Sequence, residues 1–122
     1  MIRITSAVVG TFLVVLALTG CTGAASDPVT VPEDTIILDV RTPQEFAEGH
    51  LEGAQLLDVT SGELAAALPN LDPDAEYVIY CRSGNRSAQA ASIMRDHGFE
   101  HVIDAGALSD ASTATGIDIV TE

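Results

Sequence analysis

One cysteine in this chain stands where a thiol could do chemistry. In "YCRSGNRS", residues 80–87, Cys81 follows an apolar run, and Arg82, Ser83, Gly84, Asn85, Arg86 and Ser87 lead from it into a helical pattern. Passing from strand to helix in so few residues requires a tight curl, and Gly84 supplies the backbone freedom. A curl that runs into a helix N-terminus aims successive N–H groups at one spot. Cys81 is expected at that spot. The N–H donors, the helix dipole and nearby guanidinium charge all stabilise a thiolate, which is the nucleophilic form. The plainer alternative is an inert buried thiol. Arginine, serine, glycine, asparagine and arginine after Cys81 argue against it, because they make no apolar nest. To act, the thiol must also be open to solvent.

This gathering of positive charge contrasts with the rest of the chain. The 122 residues carry 18 acidic groups against five cations, a net charge of −13 at neutral pH. All five cations are arginines: Arg3, Arg41, Arg82, Arg86 and Arg95. A nucleic-acid partner needs a basic face, and none can be built from these residues. The acidity reads as solubility, and its field repels anions at long range, so any anion site must be local. The histidines and cysteines have no metal-ligand spacing, and nothing calls for a cofactor.

The elements that must hold the cysteine loop follow from pattern. "TIILDV" is a continuous β-branched run, suited to a strand buried on both faces. "TPQEFAEG" has Thr42 as N-cap, Pro43 at the first helical position and Glu45 completing a capping box, with Phe46 expected in the core. "GAQLLDV" is a second strand. Thr60 and Glu63 suggest another capping box, ahead of a helix that buries Leu64, Ala67 and Leu68 and ends at Pro69. "AEYVIY" reads as the central strand, and residues 87–97 as a helix with Ala88, Ala91 and Met94 on one stripe. "HVID" is a fourth strand, and "IDIV" is a fifth or an extended tail. Such alternation implies an α/β fold in three layers, a mostly parallel sheet of four or five strands with helices on both faces. Sites in such sheets lie at the C-terminal ends of strands, where Cys81 and Asp39 both fall.

Taken together, "LDVRTPQEFAEGHLEGAQLLDV" and "VIYCRSGNRSAQAASIMRDHGFEHV" resemble a single-domain rhodanese, a sulfurtransferase, over about residues 36–103. The marks are Asp39 and Arg41 at a strand end, Glu45-Phe46, Gly49-His50-Leu51, Gly53-Ala54 and above all Cys-x4-Arg. The resemblance implies a rhodanese-like fold, with Cys81 as nucleophile and persulfide carrier and the loop residues 82–87 as its substrate cradle. Asp39 and Arg41 then support the active loop, and His50 is structural. The implied partners are a small anionic sulfur donor such as thiosulfate and a thiol or cyanide acceptor. Phosphatases of related pattern use Cys-x5-Arg, but the sixth residue after Cys81 is Ser87, and the shorter loop suits one sulfur atom. The alternative to an enzyme is a non-catalytic binding or redox-sensing module. It draws on the C-terminal "DAGALSDASTATG", which has Ala105-Gly106 where the family often has Gly-Gly, and on the lack of tryptophan.

Residues 1–20 read as an export signal: Arg3, then an apolar run over residues 7–18, too short to be read as a membrane span. "LTGC", ending at Cys21, resembles the bacterial lipobox. That resemblance implies a diacylglyceryl thioether and further acylation on Cys21, anchoring the protein to the outer face of the cytoplasmic membrane. Each buried methylene adds roughly 0.8 kcal/mol of anchoring. Residues 21–34 then form a lipidated N-terminus and tether, and residues 35–122 the domain, with Val29 and Val31 as a possible edge strand. With Cys21 lipidated, Cys81 has no disulfide partner.

Overall fold

The computed structural model describes residues 28–121; the export signal, Cys21 and most of the tether lie outside the described residues. Four parallel strands make the central sheet: β1 (Ile36–Asp39), β3 (Gln55–Leu56), β4 (Tyr77–Cys81) and β5 (Val102–Ala107), in the order β3-β1-β4-β5. The α/β class and the parallel sheet are as expected. β4 lies between β1 and β5, and all five of its residues are buried.

The side chains of β4 alternate between two cores, as the period of two requires. Tyr77, Ile79 and Cys81 join Leu64 and Leu68 with Ala90, Ala91 and Met94, the residues of α2 (Glu63–Ala67), the 3-10 turn after it and α3 (Asn85–Asp96). Val78 and Tyr80 face the other way, onto Ile37, Leu51 and Ala111 of α4 (Leu108–Thr115). Helices therefore cover both faces, and Cys81 leaves the sheet on the α3 side.

Several local expectations change. α3 starts at Asn85, two residues early, and buries Ser87, Ala90, Ala91 and Met94, a spacing of i, i+3, i+4, i+7; Ala88 is exposed. The Thr60 capping box does not form. Asp58 takes the Thr60 N–H and hydroxyl at 2.8 and 2.7 Å, so α2 begins after Gly62 with no side-chain cap. Pro69 lies inside the 3-10 turn Leu68–Asn70 rather than ending the helix. In α1 (Pro43–Glu48) the Thr42 capping box is present, but Phe46 is only half-buried; its ring stacks on His50 with centroids 3.7 Å apart.

A second, two-stranded sheet uses the "IDIV" segment, read as a fifth strand or a tail, as a strand outside the central sheet; its partner strand had no sequence signal. β2 (His50–Leu51) pairs antiparallel with β6 (Ile119–Val120), which ties the end of the chain to the residues after α1. At the other end no strand forms at residues 28–35, but the Val29 N–H donates to Ala114 O at 2.9 Å and Val31 packs on the second core. The last residues read as tether thus touch the domain.

Candidate active site

The cysteine loop runs from the end of β4 to the first turn of α3. Gly84 is its pivot, with φ +94° in the left-handed region that a side chain disfavours. That turn brings the Gly84 N–H to 2.9 Å from Cys81 Sγ. Ser87 Oγ lies 3.6 Å from the sulfur and also donates to Gly84 O at 3.0 Å. Burial pushes the thiol pKa up. The Ser87 hydroxyl and the N–H groups of Ser87, Gly84 and Ser83 outweigh it, so Cys81 ionises below its ordinary range. The curled ring of donors expected around the sulfur is present.

Cys81 itself is 0 % exposed, so in this conformation the thiol is shut from solvent and not open as its chemistry requires. The loop packs against its neighbour across the sheet. Cys81 pairs with Ala107 past a bulge between Ile79 and Cys81, and a Cβ on Gly84 would stand 3.7 Å from Gly106 Cα. The rim, by contrast, is wet: Arg82, Ser83 and Asn85 are exposed. Arg82 opens onto a pocket of about 290 Å³ whose other walls include Glu48, Leu108 and Ile119.

Arg86 does not reach into open space. Its guanidinium grips both oxygens of Glu45, at 2.8 Å each, while Glu45 also accepts the Thr42 N–H at 3.0 Å. Glu45 is thus more than a cap: it clamps α1 to the cysteine loop. The Arg86 hydrogen bonds chiefly, against some desolvation, hold the Glu45 carboxyl down to about 2. Arg86 in turn keeps its charge mainly through Glu45 and more weakly through the Cys81 thiolate. Of the residues foreseen for the cradle, Ser83, Gly84 and Ser87 serve the sulfur directly, Arg86 braces the loop, Arg82 faces the pocket, and the exposed Asn85 opens the helix.

Behind the loop lies a buried polar network. Arg41 donates to both Asp39 oxygens, by Nε at 2.9 Å and by a terminal nitrogen at 2.6 Å, and to Gly49 O at 2.6 Å. The Tyr80 hydroxyl donates to Asp39 at 2.7 Å and accepts the Leu51 N–H at 3.0 Å. Burial, with Asp39 beside it, pushes the Tyr80 phenol well above its usual range, so it stays protonated. Asp39 and Arg41 thus fix the ends of β1 and α1 and touch no reacting atom. Tyr80, next to Cys81 in β4, joins them and had no signal beyond its place in an apolar run. His50 is buried, its Nδ1 2.8 Å from Phe46 O, and is structural.

Comparison with known proteins comes to the same architecture. The sequence profile of the rhodanese-like domain family matches residues 26–106. The chain is 38% identical over 91 residues to the thiosulfate sulfurtransferase GlpE of Pseudomonas putida, covering 69% of this chain and 81% of that one. It is 33% identical over 75 residues to the thiosulfate sulfurtransferase PspE of Escherichia coli, covering 60% and 70%. Among solved structures, a rhodanese with anions from E. coli superposes with a TM-score of 0.59 at 29% identity, covering 72% of this chain and 99% of that one.

Proposed function

The chain belongs to the rhodanese-like domain family, and from that premise we propose that it is a sulfurtransferase with the Cys81 thiolate as nucleophile. The observation that carries this reading is the Gly84 N–H held 2.9 Å from Sγ, with the Ser83 and Ser87 amides beside it. The thiolate attacks the outer sulfur of a donor such as thiosulfate. The donor's S–S bond breaks, sulfite leaves with the electron pair, and Cys81 carries a persulfide. An acceptor thiolate or cyanide then takes that sulfur and releases the Cys81 thiolate. Splitting one transfer into two is covalent catalysis. The fixed N–H donors stabilise charge on sulfur without reorganising, which is electrostatic catalysis. Attack requires the loop to open, because Cys81 is buried.

The full burial of Cys81 favours a second reading, a non-catalytic module. Intact-mass measurement after thiosulfate treatment separates the two. One added sulfur on the unaltered protein, and none on Cys81→Ala, is expected of the transferase. No gain with any sulfane donor would leave only the module. For the N-terminus we further propose lipidation at Cys21 and tethering outside the cytoplasmic membrane, supported by the lipobox-like "LTGC". Loss of membrane association in Cys21→Ala tests it.

A further inference from the structure

The pocket beside the cysteine loop holds four charged side chains, and two of them are already spent. Arg41 is 4 % exposed and is committed to Asp39 and Gly49 O. Glu45 gives both oxygens to Arg86. Arg82 and Glu48 remain. Both are exposed, and neither makes an ion pair or side-chain hydrogen bond among the described residues, even with the other. The half-buried Leu108 and Ile119, 46 % exposed, are further walls. The pocket therefore offers one free positive group, one free negative group and an apolar wall. Cys81 itself is not one of its walls; Arg82, the residue that follows it, is.

Resting on the sulfurtransferase reading, we propose that this pocket receives the sulfur acceptor and selects a small zwitterionic thiol, with Glu48 as a specificity-determining residue. A carboxylate on the acceptor meets Arg82, an ammonium group meets Glu48, and the methylene that bears the thiol lies along Leu108 and Ile119. A purely anionic thiol would face Glu48 unpaired, and a purely cationic one would face Arg82. The acceptor thiolate attacks the outer sulfur of the Cys81 persulfide. The bond between the two sulfurs breaks, its electron pair returns to Cys81 as thiolate, and the acceptor departs as a persulfide. No oxidant or reductant is consumed.

The test uses protein charged with sulfur from thiosulfate and freed of donor, its discharge followed by intact mass. L-Cysteine, cysteamine (which lacks the carboxylate) and 3-mercaptopropionate (which lacks the ammonium) are compared at matched thiolate concentration, each rate divided by that thiol's rate with a small-molecule disulfide, because nucleophilicity rises with thiol pKa. Cysteine is expected to discharge the protein roughly three- to fivefold faster than either, the ratio that one exposed ion pair supplies. Glu48→Gln should bring cysteine level with 3-mercaptopropionate while cysteamine stays behind. Arg82→Gln should bring it level with cysteamine instead. Equal rates for all three thiols, or a preference that neither substitution moves, overturns the proposal. Failure to charge with sulfur at all shows before any acceptor is added and refutes the sulfurtransferase reading beneath it.

Discussion

At the residue scale the decisive pair is Cys81 and Ser87. Ser87 is buried, and its hydroxyl can turn from Gly84 O toward the sulfur when the thiol ionises. The depressed pKa of Cys81 means that the thiolate persists to lower pH than in an unperturbed cysteine. Iodoacetamide alkylation should rise with pH to a plateau, with its midpoint below that of the same protein unfolded in urea. Sulfur loading should fall away as the pH drops through the same midpoint. Ser87→Ala is expected to move the midpoint upward, and an unmoved midpoint would remove the hydroxyl from the site. Cys81, Gly84 and Ser87 were legible because the loop is local: its donors lie within six residues of the sulfur. Tyr80 and the second role of Glu45 were not, because each is defined by a partner 41 residues away, Asp39 and Arg86 respectively.

At the scale of elements, α1 and the cysteine loop are joined through Glu45. Glu45→Ala removes a cap and a charge-assisted bridge together. It is expected to cost about 1–3 kcal/mol in urea unfolding at neutral pH, discounted for side chains that are 24 % and 18 % exposed. The sign of its pH dependence follows from the depressed carboxyl. The stability it contributes is full above the ordinary value of 4.5 and is lost as the pH falls toward about 2. Melting curves over that window should therefore slope less steeply in the variant, and parallel slopes would dissociate Glu45 from acid stability. The Thr42 box was readable because it is local, and Arg86 binds the Glu45 oxygens without displacing the Thr42 N–H. The Thr60 box looked equal in sequence and fails because Asp58 takes Thr60 first. Strands of two residues, such as β2 and β6, carry no periodicity at all, so their pairing is visible only in three dimensions.

For the molecule as a whole, alternation of apolar runs and capped helices was enough to specify a parallel sheet, and the site fell at the C-terminal end of its central strand as that topology dictates. The charge of −13 sets how a doubly negative donor arrives. Raising ionic strength from about 0.01 M to 0.15 M shortens the screening length from about 30 Å to 8 Å. The rate of sulfur loading by thiosulfate should therefore increase with salt, and a decrease would mean that the local field of Arg82 governs capture. The pairing of Ile119 and Val120 with His50 and Leu51 has a practical corollary, since Ile119 is also a wall of the pocket. Any purification handle or fluorescent fusion appended beyond that strand emerges beside the pocket that Arg82 lines, so assays should be run after its removal.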